Sequence, residues 1–162
     1  MAGGIGSRFW PVSTEKKPKQ FLDILGMGKS LLQITYERLC LTIPKENIYV
    51  LTNQIYIELV LEQLPELKKT QVLAEPKRKN TAPCIAYASA KIHALNKNAT
   101  LVISPSDHLI IDVNKFSDQL EKAINNSKND NLVVLGIKPT RPDTGYGYIE
   151  FNSNENPTTG AI

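Results

Sequence analysis

The chain has 162 residues, of which 41% are apolar and 22% are charged, and its formal net charge at pH 7 is +3. This balance is typical of a folded globular domain, and the lack of a dense basic segment argues against a nucleic-acid partner. No apolar run approaches the roughly 18 residues that cross a bilayer, no signal-peptide core is present, and Cys40 and Cys84 lack motif spacing, so a cytoplasmic protein with reduced thiols is expected.

Short apolar runs alternate along the chain with segments of helical periodicity. The predicted strands cover residues 47–52, 71–74, 100–104, 132–137 and 146–151, and the predicted helices cover residues 31–41, 55–64, 82–96 and 114–126. Ser30 and Gln33 form a capping-box pattern at the start of the first helix. Because the first four strands are apolar on both faces, we expect an α/β fold: a three-layer sandwich with a mainly parallel, Rossmann-like sheet.

A glycine-rich segment, AGGIGSR, covers residues 2–8. Glycines can adopt positive φ and let backbone N–H groups converge on an anion, and Arg8 adds a forked donor that matches phosphate oxygens. An ordinary glycine turn is the alternative. Such a loop normally follows the first strand of a doubly wound sheet. We therefore expect either that the natural protein has a strand before residue 1 or that another element or molecule supplies it.

A second phosphate motif is weaker. Gly28-Lys29-Ser30 resembles the end of a P-loop that opens a helix, but Asp23 stands where that loop requires glycine. A turn that leads into a capped helix is therefore the preferred interpretation.

Lys19 and Asp107 are the strongest candidates outside the glycine segment. Lys19 lies in a proline-punctuated loop eleven residues after Arg8, and two cations beside a glycine turn suit a polyphosphate. Asp107 follows the predicted strand at residues 100–104, at the edge where open α/β sheets bind ligands, and it could hold Mg²⁺ together with phosphate oxygens. A turn cap is the alternative role for Asp107. We predict that residues 2–8, Lys19, Asn80 and Asp107 converge on one edge of the sheet.

The string AGGIGSRFWPVSTEKKPKQF closely resembles the signature of the mannose-1-phosphate guanylyltransferases. The resemblance continues in order through EPKRKNTAP at residues 75–83, PSDH at 105–108 and TGYGYI at 144–149, so it covers essentially the whole chain. One departure is Lys79, where the family usually has Arg. The resemblance implies transfer of GMP from GTP to mannose 1-phosphate, with Mg²⁺ as cofactor and pyrophosphate as the second product.

The resemblance also implies a role for individual residues. Arg8 would hold the β- and γ-phosphates of GTP, Lys19 would bridge the α-phosphate and the sugar phosphate, and Asp107 would bind the metal. The implied nucleotide-binding residues are Ala2, Gly3, Gly4, Gly6, Ser7, Asn80, Thr81 and Ala82, and the implied sugar-binding residues are Tyr146 and Gly147. For the last pair, a turn that places aromatic side chains in the core is the alternative.

Members of this family are considerably longer, and their second metal carboxylate and part of their sugar pocket lie beyond the equivalent of residue 162. We therefore expect residues 1–162 to be part of a longer nucleotidyltransferase domain, and to bind GTP weakly if at all and show no transfer when expressed alone. Two alternatives stay open: an enzyme of the same fold for another nucleotide or hexose, and a non-catalytic module that keeps the nucleotide pocket. The oligomeric state is also open, with a homo-oligomer as one outcome.

Overall fold

The structure is a computed structural model that describes residues 1–4, 9–77, 79–128 and 131–150. The chain divides into two compact units, residues 1–113 and residues 114–162. The helices are α1 (Leu31–Leu39), α2 (Ile57–Gln63), α3 (Thr81–Leu95) and α4 (Val113–Ser127), and the strands are β1 (Val50–Asn53) and β2 (Val72–Glu75). Within the described ranges, no helix is long and apolar enough to cross a membrane.

The two strands form a parallel sheet, as predicted from their apolar runs. Val50 is paired with Val72 at one end of the ladder, and Asn53 is paired with Glu75 at the other. The chain between the strands passes through α2, so the unit is a β-α-β crossover. Because the strands are parallel, their carboxyl ends, at Asn53 and Glu75, lie at the same edge of the sheet.

The first residues of the chain extend this sheet. The N–H of Ala2 donates a hydrogen bond of 2.7 Å to the carbonyl oxygen of Leu51. On the other side, the nitrogen of Met1 donates a hydrogen bond of 2.8 Å to the carbonyl oxygen of Ser104. The N–H of Ser106 donates one of 3.2 Å to the carbonyl oxygen of Met1. This is the bonding pattern of parallel strands. The spatial order is therefore β2, β1, residues 1–2, residues 104–106.

Residues 100–104, which were predicted as a strand, are not a regular strand in the structure, although their end pairs with Met1. Residues 1–2 are followed in space, on the side away from β1, by a segment from much later in the chain. The order of segments reverses there, which makes residues 1–4 and 104–107 a topological switch point of the kind at which open α/β sheets bind ligands.

Helices cover both faces of the sheet in the first unit, which confirms the predicted three layers. Val50 and Val72 pack into one apolar cluster, and Leu51 and Leu73 pack into another on the opposite face, because successive side chains of a strand alternate. The first cluster includes Leu32 and Tyr36 of α1 and Val60 of α2. The second includes Cys84 and Ala88 of α3.

The start of α1 has the predicted capping box. Ser30 Oγ accepts a hydrogen bond from the N–H of Gln33 at 3.2 Å, and Gln33 Oε1 accepts one from the N–H of Ser30 at 2.9 Å. Both side chains also reach the end of α2: Ser30 Oγ donates to Gln63 Oε1 at 2.7 Å, and Gln33 Nε2 donates to the carbonyl oxygen of Gln63 at 2.9 Å. The cap therefore satisfies the first turn of α1 and also fixes α1 against α2.

Two strands predicted in the second unit are wrong over the described residues. Residues 132–137 and 146–150 have no strand assignment, and Phe151 lies outside the described residues. Leu132 is 103% exposed and Ile137 is 78% exposed. An apolar, β-branched run favours a pleated, half-buried surface, but it becomes a strand only where a neighbouring strand pairs with it. The helix predicted at residues 114–126 is present as α4.

Candidate active site

The ammonium group of Lys19 forms an ion pair with the carboxylate of Asp107. Lys19 opens a short 3-10 turn, Lys19–Phe21, and its Nζ also lies 5.4 Å from the centre of the Phe9 ring. The two side chains are 30% and 26% exposed, so both remain accessible to a ligand. The structure thus brings together the cation and the carboxylate that were predicted from separate parts of the sequence.

The position of Asp107 follows from the sheet. It comes directly after the segment that pairs with Met1, at the carboxyl side of the switch point. Arg38 of α1 is 3% exposed and its Nη1 donates a hydrogen bond of 3.3 Å to the carbonyl oxygen of His108. The hydrogen bond from Arg38 of α1 therefore fixes the backbone next to Asp107. Among the hydrogen bonds of the described residues, none shows the Asp107 carboxylate as a turn cap, the alternative role.

Gly3 and Gly4 lie at the carboxyl end of the segment that extends the sheet. Neither has positive φ, so conformational freedom is not what requires glycine there. Space is the requirement at Gly3, because a Cβ atom added to it would lie 3.1 Å from Oε2 of Glu75. No atom lies within 4 Å of a Cβ added to Gly4, which is exposed. The other predicted members of this loop, Gly6, Ser7 and Arg8, lie outside the described residues.

Two buried polar side chains of this site were not predicted from the sequence. Glu75, the last residue of β2, is 8% exposed, and its carboxylate lies against Gly3. Gln20 is 3% exposed, and its Nε2 donates to the carbonyl oxygens of Ala2, at 2.9 Å, and Gly4, at 2.8 Å. The signal for Glu75 was available, since a carboxylate after a strand at this edge follows the same rule as Asp107. Gln20 lies inside the signature string quoted above, but its bonds to backbone atoms could not be predicted from that string.

Cys84 lies beneath this site in the first turn of α3 and is 6% exposed. Burial, together with the neighbouring carboxylate of Glu75, raises the pKa of its thiol. The thiol therefore stays protonated at neutral pH.

Asn80, Thr81 and Ala82 lie at the start of α3, just beyond the carboxyl end of β2. Asn80 has φ 67° and ψ −165°, and its side chain does not cap the helix. All three residues are exposed. The N–H groups of a first helical turn have no partner within the helix and attract anions, an effect that the helix dipole strengthens. The end of β2 and the start of α3 therefore bring the predicted nucleotide-binding residues to the same sheet edge as Glu75, and anion binding there stays a prediction.

The loop that carries Lys19 is anchored to the helical layer at two further points. Tyr56 Oη donates a hydrogen bond of 2.7 Å to the carbonyl oxygen of Glu15. Gln63 Nε2 donates one of 2.9 Å to the carbonyl oxygen of Phe21, whose ring centre lies 5.6 Å from that of Tyr56. These bonds hold the loop in one conformation at Glu15 and Phe21, and Lys19 lies between these two anchored residues.

Tyr146 and Gly147 lie in the second unit, in a turn organised by Asp143. The N–H of Gly145 donates to Asp143 Oδ1 at 2.9 Å, and the N–H of Tyr146 donates to the Asp143 carbonyl oxygen at 3.3 Å. Tyr146 is 69% exposed and Tyr148 is 54% exposed. These aromatic side chains are not in a core, so the alternative given for this turn is wrong. The role of Tyr146 and Gly147 in sugar binding stays a prediction.

Asp107 is a single carboxylate. Within the described ranges, no group of three or more His, Cys, Asp or Glu side chains is arranged to hold a metal. One partly exposed carboxylate suits Mg²⁺, which is usually bound through one or two carboxylates, substrate phosphates and water. The donor set fits a metal that arrives with a polyphosphate and does not fit a closed structural site.

Comparison with known proteins identifies the family. Residues 1–159 match the family described as Nucleotidyl transferase. The chain belongs to this family. Among the relatives, a mannose-1-phosphate guanylyltransferase of Escherichia coli is 40% identical over 154 residues, 93% of this chain and 33% of the relative. One of Salmonella montevideo is 42% identical, over 92% of this chain and 31% of the relative.

A third relative in the same range is the alginate biosynthesis protein AlgA of Pseudomonas aeruginosa. It is 38% identical over 156 residues, 95% of this chain and 32% of the relative. The chain therefore spans about a third of the length of the curated relatives that it matches. The family match covers both the glycine-rich segment and Asp107.

Proposed function

We propose that the full-length protein transfers GMP from GTP to mannose 1-phosphate and releases pyrophosphate. The observation that carries this proposal is the meeting of Lys19 and Asp107 beside the glycine-rich segment, at the switch point of the sheet. A cation and a carboxylate at such an edge suit two phosphorylated substrates and a metal. Relatives named mannose-1-phosphate guanylyltransferase at 40–42% identity support the choice of substrates.

In the proposed reaction, an oxygen of the sugar phosphate attacks the α-phosphorus of GTP. A new P–O bond forms as the bond to the bridging oxygen of the β-phosphate breaks, and pyrophosphate leaves with that electron pair. No covalent protein intermediate is needed, so the protein contributes by positioning two anions and neutralising their charge. Lys19 is suited to this task because its mobile ammonium can exchange Asp107 for phosphate oxygens.

Asp107 would hold Mg²⁺, which supplies positive charge to the phosphates when it is bound. Lys19 and Asp107 neutralise each other in the ligand-free fold. With the substrates bound, Asp107 would hold Mg²⁺ and Lys19 would contact phosphate oxygens, so each would have a new partner of opposite charge. The ion pair thus keeps both groups in place until the substrates bind.

Other residues complete the proposed site by family resemblance. Arg8 would bind the β- and γ-phosphates, and Tyr146 and Gly147 would contact the sugar. The nucleotide would lie along the loop at residues 2–7 and the start of α3, where Asn80, Thr81 and Ala82 are exposed. Since both substrates are small water-soluble phosphates, we place the reaction in the cytoplasm, without a nucleic-acid or membrane partner.

The test is an assay of the full-length protein with Mg²⁺, GTP or dTTP, and a panel of hexose 1-phosphates. Formation of GDP-mannose with stoichiometric pyrophosphate is expected, with GTP and mannose 1-phosphate as the best pair. Turnover with a different nucleotide or hexose would favour the first alternative, an enzyme of the same fold. Binding of GTP without any pyrophosphate release would favour the second, a regulatory module.

A further inference from the structure

The side chain of Gln20 bridges the beginning of the glycine-rich segment. Its two amide hydrogens are both used, one on the carbonyl oxygen of Ala2 at 2.9 Å and one on that of Gly4 at 2.8 Å. The side chain is 3% exposed, and its bond to Ala2 is buried, whereas its bond to Gly4 is partly buried. Only the NH₂ end of the amide can serve two carbonyl oxygens, and the orientation of the group is therefore set by its partners.

The sheet itself supports only the first part of this segment. Ala2 is fixed by its N–H bond to Leu51 and by Thr52, whose Oγ1 donates to the Ala2 carbonyl oxygen at 3.1 Å. Gly4, two residues later, is exposed. Among the hydrogen bonds of the described residues, the one that reaches Gly4 comes from Gln20. Gln20 therefore continues the support of the loop past the point where strand pairing ends.

Carbonyl orientation matters in a loop that receives anions. Peptide groups that flank glycines rotate easily, because glycine has few steric restrictions. A rotated peptide would turn its carbonyl oxygen toward the phosphates and repel them, and it would withdraw an N–H donor. By binding the carbonyl oxygens of Ala2 and Gly4, Gln20 holds both peptide groups in one orientation.

Gln20 is also the direct neighbour of Lys19 in the same 3-10 turn. We propose that Gln20 is a positioning residue, which fixes residues 2–4 in the orientation that receives the nucleotide phosphates and sets their distance from the Lys19–Asp107 pair. This inference rests on the proposed function and adds a residue to it. The side-chain hydrogen bonds of Gln20 go to backbone carbonyl oxygens, and the residue has no chemical role in the transfer.

The chain provides a matched control in Gln71. Its Nε2 also donates to two carbonyl oxygens, those of Lys45 and Ile48, both at 2.8 Å, and the residue is 6% exposed. Gln71 precedes β2, whereas Glu75 ends it, so the control lies at the opposite edge of the sheet, about 13 Å away along the strand. Replacing either glutamine by methionine keeps the length of the side chain and removes both donors.

The test compares Gln20→Met and Gln71→Met in the full-length protein. We expect both variants to lose stability, because each removes two hydrogen bonds to backbone carbonyl oxygens, and Gln71→Met also removes the acceptor of the Lys68 N–H. Only Gln20→Met should weaken GTP binding, measured by calorimetry, by about tenfold or more, with a matching rise in KM for GTP and a fall in kcat. Gln71→Met should stay within about twofold of wild type. Equal GTP affinity in the two variants would overturn the proposal.

A second measurement covers the case in which Gln20→Met does not fold. In the wild-type protein, the side-chain amide protons of Gln20 should exchange slowly with water, like those of Gln71, and should slow further when GTP binds. Rapid exchange at Gln20, or a response to GTP equal to that of Gln71, would overturn the inference. If the wild-type protein bound GTP but formed no GDP-mannose, the proposed function would fail while the test of Gln20 by GTP affinity would still stand.

Discussion

Asn80 has a backbone conformation, φ 67° and ψ −165°, that is accessible almost only to glycine. Such a conformation costs a residue with a side chain about 1–3 kcal/mol. Replacing Asn80 by Gly removes this strain, but the more flexible unfolded chain offsets about 0.5–1 kcal/mol of the gain. We therefore expect Asn80→Gly to raise the free energy of unfolding by roughly 1 kcal/mol, which corresponds to about 2–4 °C in Tm for a domain of 150–250 residues.

The second variant, Asn80→Ala, also removes the side-chain amide but keeps a Cβ atom. Alanine tolerates positive φ less well than asparagine, so this variant should be less stable than wild type. If the amide contacts the nucleotide as predicted, both variants should bind GTP about three- to tenfold more weakly, the value of one hydrogen bond. Stability is measured by urea and thermal unfolding of the full-length protein, and affinity by calorimetry.

If Asn80→Gly is more stable and Asn80→Ala less stable than wild type while both lose the same affinity for GTP, the effect of backbone strain is separated from the effect of the side-chain contact. The reasoning would be refuted if Asn80→Gly were no more stable than wild type, or if Asn80→Ala were as stable as Asn80→Gly. Unchanged GTP binding in both variants would instead remove Asn80 from the nucleotide site, while the argument about strain would remain.

Three further outcomes are expected. Lys19→Ala should lower kcat of the full-length protein by about 100- to 1,000-fold. It should cost at most about 1 kcal/mol of stability, because the ion pair of Lys19 is partly exposed. The control is Lys29→Ala, which breaks another exposed ion pair and should keep normal turnover. Gly3→Ala should destabilise the protein and weaken GTP binding, because the new Cβ atom would crowd a buried carboxylate, whereas Gly4→Ala should have nearly normal thermal stability. Burial raises the pKa of Tyr36 to about 12, so the folded state holds this proton more tightly than the unfolded state, whose tyrosine has a pKa near 10. The contribution of the protonated Tyr36 to the free energy of unfolding should be complete below pH 10 and disappear as the pH rises to 12. Ultraviolet titration that finds Tyr36 ionising together with the exposed tyrosines would contradict this.

The helices and the parallel sheet could be predicted because their signals are local. Hydrophobic periodicity and the capping box at Ser30 placed all four helices to within about two residues of their observed ends, better than the usual uncertainty of such boundaries. A topological rule, rather than a local pattern, predicted that Lys19 and Asp107 lie at the same edge of the sheet, whereas their ion pair was not predicted. The strand at residues 132–137 failed because strand formation depends on a partner that the segment itself does not encode.

The side chains that shape the site were harder to predict than those that carry charge. Gln20 lies in a loop of lysines and prolines and looks like one more solvated residue, and only the folded chain shows that it is buried against the glycine-rich segment. Arg38, in the last turn of α1, likewise reads as a surface cation, but it is buried and donates to the backbone beside Asp107. Each of them donates to main-chain carbonyl oxygens near the site, and such partners carry no sequence signal.

The pairing of Met1 with Ser106 joins residues that are 105 positions apart in sequence. Contacts of such high sequence separation form late, because the entropy of closing a long loop must be met before they contribute. During synthesis, the glycine-rich segment and Lys19 leave the ribosome on the order of ten seconds before Asp107 does, at typical elongation rates. Until then the growing chain has the cation without its carboxylate, so the proposed site cannot be complete before Asp107 is made.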